Sequence, residues 1–231
     1  MLKQDFTDDF LYLVEKIFAN KENTVFTRLN EGEYWLLIGN NFVGAGGLWR
    51  TRPNSRLQKD LLNSLDVVDD SFIYGIASLQ HPVANQWYKE NIKGQKTLAT
   101  LFVNANWKHF KEIITNIKEE VVLVANEKGK DNEYPFKVKN YFWVPFDCVK
   151  YYEENEKEIN KLVNRLTRYK NRLILFSAWP LANILIYKCW KKNPNNRYID
   201  VGSTLDPRIH WEPSRQYFFT NSKTARQKDI F

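Results

Sequence analysis

Leu173-Ile174-Leu175-Phe176-Ser177-Ala178-Trp179-Pro180 opens the stretch that decides the fold, and Tyr198-Ile199-Asp200-Val201 closes it. Each contains a short apolar run of strand length. Between them, 181–190 reads as a helix introduced by Pro180, a residue suited to a first helical turn. A strand, a helix and a second apolar strand make the unit that builds parallel sheets. The same alternation extends upstream. Val121-Val122-Leu123-Val124 and Tyr141-Phe142-Trp143-Val144 read as strands, with helices near 107–118 and over 153–169. Leu98-Ala99-Thr100-Leu101-Phe102-Val103 is a further strand candidate.

The N-terminal half follows the same pattern. Phe6, Phe10, Val14, Ile17 and Phe18 recur at helical spacing over 5–19. Strands are expected at 24–28 and 71–76, with helices at 31–38, 55–65 and 82–91. The segment 39–47 holds four of the nine glycines and reads as a mobile loop or sharp turn. Continuous apolar strands alternating with helices predict an α/β fold, its sheet mainly parallel with helices on both faces. Residues 1–219 read as a single domain. The tail 220–231 is polar and basic, and is expected to be poorly ordered.

Composition narrows the function classes. The chain has 231 residues, a net charge of +7, eight Trp and only two Cys. The charge favours anionic partners. Cys148 and Cys189 lie far apart with no CxxC, which suggests buried thiols in a reducing compartment. There is no signal peptide pattern and no apolar run of spanning length, so a cytoplasmic location without a transmembrane segment is expected. No nucleic-acid motif is complete, and the basic residues are interspersed with acids, so no nucleic-acid partner is expected. A noncatalytic binder of nucleic acid or another polyanion, and another nucleotide-dependent α/β enzyme, are the alternatives. The chain has no GxSxG, no phosphate-binding GK[ST], no GxGxxG after a strand and no His or Cys cluster at metal spacing.

Candidate chemistry lies at the expected strand ends, where ligands of such sheets bind. Arg28 precedes Glu31-Gly32-Glu33, where the glycine lets the chain bend and both carboxylates face one small volume. Paired carboxylates suit Mg²⁺ or Mn²⁺ beside phosphate. The plain alternative is a helix start with acids in its first turn. Asn104 can contact a ligand or cap the next helix, and capping suits Asn106. Ser177, beside Trp179, can receive a phosphate or cap a helix. Asp200 and Asp206 bracket the small loop Gly202-Ser203, which either approaches a sugar or phosphate closely or is a turn with Asp caps. Asp206, Asp200 and His210 are candidate bases, and Arg215 and Tyr217 follow. His81 and His109 are less persuasive.

In their joint order these segments resemble the GT-D-type glycosyltransferases. The resemblance rests on Arg28 with Asn30-Glu31-Gly32-Glu33, on 102–107 leading to 122–127, and on 173–187 leading to Tyr198-Ile199-Asp200-Val201-Gly202-Ser203. It covers about residues 25–217. Here Glu31 stands where the family has Asp, Asn30 where it has Gly, and Trp179 where it has a Gly before Pro. The resemblance implies a Rossmann-like fold and a nucleotide-sugar donor, usually a UDP-sugar. It implies Mn²⁺ or Mg²⁺ at the donor diphosphate, held by Glu31 and Glu33, and a hydroxyl acceptor on a glycan. Arg28, Asn104, Ser177, Trp179, Gly202, Ser203, Arg215 and Tyr217 are the expected substrate-binding residues. An inverting reaction is the favoured outcome, since no dedicated nucleophile is evident.

Overall fold

The computed structural model describes residues 6–44, 47–49, 51–209 and 215–219. Seven strands form one all-parallel sheet: β1 (Val25–Leu29), β4 (Phe72–Ile76), β5 (Gln95–Leu98), β6 (Val121–Asn126), β7 (Val138–Val144), β8 (Leu173–Ser177) and β9 (Arg197–Asp200). Their order is β5-β4-β1-β9-β8-β6-β7. Short β2 (Phe42–Gly44) and β3 (Gly47–Trp49) pair with each other as an antiparallel hairpin outside this sheet. Residues 42–44 of the glycine-rich segment are thus strand residues paired with 47–49.

Helices cover both faces of the sheet, and alternate strand residues divide between them. Val25, Tyr74, Val122, Val124, Ile174, Phe176 and Tyr198 pack on one face. That face is covered by α2 (Glu31–Leu37), α3 (Arg56–Asn63), α4 (Pro82–Asn91), α6 (Cys148–Glu154), α7 (Glu156–Leu166) and α8 (Pro180–Lys192). Phe26, Ile73, Leu123, Leu175 and Ile199 pack on the other, under α1 (Phe6–Val14), α5 (Trp107–Thr115) and α9 (Asp206–Ile209). Burial on both faces explains why the strands read as unbroken apolar runs. Both cysteines are free and buried, and burial pushes the Cys148 thiol up to about 12.

Three sequence expectations are corrected. The strand expected at 98–103 is β5, which starts earlier and ends at Leu98, and the chain then turns through 99–103. The apolar residues there fill the core from the turn: Leu101, Phe102 and Val103 pack against α5 and α1. The charged helix at 153–169 is two helices, broken at Asn155 between α6 and α7. The first helix changes to a π-helical turn over Glu15–Ala19. The tail from 220 lies outside the described residues.

The topology creates the crevice. Chain connections from β1 lead to β4 on one side, while β9, its other neighbour, is reached from the opposite half of the sheet. After β1 the chain enters α2 and α3 on the first face. After β9 it enters a 3-10 turn (Gly202–Leu205) and α9 on the second face. Two neighbouring parallel strands whose continuations diverge leave an opening beyond their carboxyl ends, the usual ligand position in such sheets. At the amino end, buried Arg197 closes the structure instead. Its guanidinium binds Glu119 twice, at 2.8 and 2.6 Å, and donates to the Ile17 carbonyl at 2.9 Å.

Candidate active site at the carboxyl ends of β1 and β9

Arg28 occupies the end of β1 on the second face. It is nearly buried, and its Nε donates to the Ala99 carbonyl at 2.5 Å. This bond aims the guanidinium across the strand ends toward Gly202. A Cβ placed on Gly202 would stand 1.6 Å from Arg28 Nη1. Gly202 also has φ +52°, the left-handed region that favours glycine. The loop therefore needs a glycine twice over, for its backbone and for the arginine beside it.

Asp200 ends β9 and is buried. Its Oδ1 accepts from the Gly202 N–H at 2.8 Å. Burial raises its carboxyl to about 6, while Arg28 and the backbone donors oppose the rise. Glu33, in the first turn of α2, is buried as well. Its Oε2 accepts from the Asn30 N–H at 2.9 Å, the return arm of a capping box. Burial pushes its carboxyl up to about 7, with further contributions from the Asp200 and Glu31 charges. Glu33 thus lies within electrostatic reach of Asp200 and Glu31, and Asp200 within reach of Arg28.

The remaining predicted residues divide. Asp206 is buried at the start of α9. Its charge acts on Tyr217, as do those of Arg28 and Arg215. The Tyr217 hydroxyl bonds the Ser203 hydroxyl at 2.8 Å, and its ring packs on Trp107 and Phe218. The stretch from Asp200 to Asp206 is therefore brought together with Arg28, Glu33 and Tyr217, although about 170 residues separate the two halves of the cluster in sequence. Arg215 is exposed beside it. His210 lies outside the described residues.

The capping alternatives are corrected, and the neighbouring predicted residues have local partners. Ser177 caps no helix: its hydroxyl donates to the Gly202 carbonyl at 2.8 Å and ties the end of β8 to the loop. Trp179 is the residue before α8 and packs edge-on against Phe146 at 5.2 Å. It has φ +48° and ψ −142°, a conformation that glycine adopts most readily. Asn104 opens a 3-10 turn with φ +53° and is exposed; it makes no side-chain hydrogen bond to the cluster among the described residues. Asn106 does not cap α5, because its amide donates to the Leu101 carbonyl at 3.0 Å.

Glu31 and Glu33 are two residues apart on a helix, so they point in different directions. Glu33 turns inward. Glu31 is half-exposed, with Oε2 3.5 Å from His81 Nε2. The structure thus gives His81 a place beside the cluster. Its position after β4, immediately before Pro82 at a helix start, was the available signal. Tyr88 was also missed: its buried hydroxyl donates to the Asn30 carbonyl at 2.9 Å and holds the β1–α2 turn.

The fold has known counterparts. It is an α/β Rossmann-like fold with an all-parallel central sheet. One solved structure, described as a selenomethionine-substituted domain of unknown function 1792, matches at a TM-score of 0.64 and 16% identity. A second, whose description states that the highly conserved domain of unknown function 1792 has a distinct glycosyltransferase fold, matches at 0.59 and 14%. Each match covers 95% of this chain and 86% of the other. No family model and no curated protein matches the chain.

The acidic pair bears on a cation. Among the described residues, no three His, Cys, Asp or Glu side chains gather as a metal-binding group. Glu31 and Glu33 are hard oxygen donors at a helix start, and Glu33 carries a carboxyl raised partly by neighbouring acids. Since Glu33 turns inward and Glu31 outward, the two do not form one closed donor set, and a hard cation held here would take most of its ligands from phosphate and water. Among the described residues, no helix is long and apolar enough to cross a membrane.

Proposed function

We propose that the chain is a nucleotide-sugar-dependent glycosyltransferase of the GT-D type, moving a sugar from a UDP-sugar to a hydroxyl of a glycan or glycoconjugate. The observation that carries this reading is the convergence of Arg28, Glu33, Asp200 and Gly202 at the carboxyl ends of β1 and β9, on a fold similar to one described as a glycosyltransferase fold.

Transfer forms a bond from the acceptor oxygen to the sugar C1 and breaks the bond from C1 to the diphosphate oxygen. Negative charge grows on the departing diphosphate. Arg28 supplies a fixed positive charge there, held in place by the Ala99 carbonyl. Glu31 and Glu33, from different sides and in part through water, would hold Mn²⁺ or Mg²⁺, whose Lewis acidity would stabilise the same charge. The missing side chain of Gly202 leaves the space that the Arg28 guanidinium fills, and Ser203 lies next to it. Asp206 faces the sugar and takes the acceptor proton, with Asp200 and His210 as competing bases. Direct attack by the acceptor inverts the configuration at C1.

A panel of UDP-, GDP- and TDP-sugars, each with and without Mn²⁺, tests the reading by thermal unfolding. A bound donor at a hundredfold excess over its Kd should stabilise the fold by about 3 kcal/mol. The expected result is a shift with UDP-sugars that grows when Mn²⁺ is present. No shift with any nucleotide sugar would defeat it. On the same assay, Asp206→Asn should keep the donor shift and slow transfer by about a hundredfold or more. If both are lost together, Asp206 is a donor contact instead.

A further inference from the structure

Helix α2 continues outward from the cluster. Glu31, Trp35 and Ile38 are spaced by four and three residues, so they share one face. Side chains on a helix lean toward its N-terminus. The Trp35 indole therefore leans over the turn that carries Glu31, yet it is 40% exposed. Among the described residues it is also the outermost ring of an aromatic series. Trp35 lies 5.4 Å from Tyr34, which meets Trp87 at 6.0 Å and Tyr88 at 6.5 Å. Tyr88 in turn holds the backbone of the β1–α2 turn. The platform is thus built from the wall of the site outward. Opposite it, His81 faces Glu31, with Leu79 and Val83 exposed on either side.

An exposed tryptophan face beside a hydrogen-bonding pair has a chemical counterpart. A pyranose ring presents C–H groups on its faces and hydroxyls at its edge. A lipid chain would gain nothing from the Glu31–His81 pair. The geometry points to an acceptor subsite at this mouth, in which a sugar ring of the acceptor stacks on Trp35 with its hydroxyl edge toward His81. This rests on the glycosyltransferase reading above and adds where the acceptor sits and what it is: a carbohydrate held by ring stacking, outside the buried donor cluster.

The test uses the whole chain and a panel of p-nitrophenyl glycosides. Without donor, 5-fluorotryptophan-labelled protein is titrated with each glycoside by ¹⁹F NMR, with Trp35→Phe identifying the Trp35 signal. At least one glycoside should move that signal. With donor present, Trp35→Ala should raise the acceptor KM about tenfold, the loss of one stacking contact. The donor KM and the donor-induced thermal shift should stay unchanged. Trp35→Tyr should recover most of the loss, and Trp143→Ala, which removes an exposed tryptophan from edge strand β7, should have no effect. The inference is overturned if no glycoside moves the Trp35 signal, or if Trp35→Ala leaves acceptor KM unchanged. It is equally overturned if donor and acceptor KM rise together, or if the only change is in oligomeric state. The absence of any nucleotide-sugar shift defeats the donor reading separately, because the glycoside titration needs no donor.

Discussion

Glu33→Gln is expected to make the protein more stable above neutral pH and about a hundredfold slower in transfer. The stability half follows from linkage. The Glu33 carboxyl is raised from 4.5 to about 7 in the folded protein, chiefly by burial. A raised carboxyl means that the folded state holds its proton more tightly than the unfolded chain does. Stability associated with that proton is therefore complete below about pH 4.5 and declines as pH rises through about 7. The full decline is worth about 3 kcal/mol. Glutamine has the same shape, can still accept from the Asn30 N–H, and never ionises. The variant should match the wild type in acid and exceed it at pH 8. Asp200, raised to about 6, adds a decline of the same sign at lower pH in both proteins.

The activity half rests on the proposed role at the donor. A carboxylate kept at a cost to folding is the pattern of a functional site. The measurement is a series of unfolding curves from pH 4 to 9 for both proteins, alongside turnover at several Mn²⁺ concentrations. Parallel stability curves would remove the electrostatic argument. Unchanged turnover would leave Glu33 as a helix cap only. Glu31→Gln, tested alongside, separates the two acids: it should alter the Mn²⁺ dependence without the gain in stability, because Glu31 is half-exposed and faces His81.

Much of this architecture was legible because it depends on local pattern. The apolar runs at 121–124 and 173–176 are strands because both of their faces are buried. The α4 helix runs from Pro82 to Asn91, as the proline at its start predicts. The pattern misled at 98–103, where apolar residues serve a turn that plugs the core. Strand and turn cannot be separated there by hydrophobicity alone. The bend at Asn155 was missed because the charged sequence on either side is helical in both readings.

The site was legible only in part. Its candidates could be placed at strand ends, since each follows an apolar run, but their mutual arrangement required the strand order. Sequence reading put Glu31 and Glu33 in one volume, whereas helical geometry sends them apart and brings Asp200 to Glu33 instead. Ser177 looked like a cap or a phosphate ligand, yet its hydroxyl braces the Gly202 carbonyl. Such a long-range brace leaves no trace in spacing. The same holds for the Arg28 bond to the Ala99 carbonyl. His81 was underrated because its partner, Glu31, is 50 residues away in the chain.

Gly202→Ala is the substitution in which all these constraints meet. Its direct backbone cost is about 1–2 kcal/mol, the usual penalty for a Cβ in the left-handed region. The second consequence is larger for function. The new methyl would need the space of Arg28 Nη1, 1.6 Å away. The guanidinium tip can swing, but its Nε is tied to Ala99 and the side chain is nearly buried. Displacement would break that bond or move the positive charge away from Asp200. Asp200 would then lose both Arg28 and a well-placed Gly202 N–H, and its carboxyl would rise further. We therefore expect a modest fall in Tm and a loss of donor affinity of about a hundredfold or more. Arg28→Lys supplies the comparison. It keeps a positive charge but loses the planar fork, and Gly202 remains free to adopt its φ. If donor binding fails equally in both variants, the loop exists to present Arg28 to the donor. If Gly202→Ala unfolds the protein while Arg28→Lys binds normally, the loop is a structural turn and the phosphate contact must lie elsewhere. Nearly normal donor binding in Gly202→Ala would show that Arg28 has room to move, and would remove the arginine from the proposed mechanism.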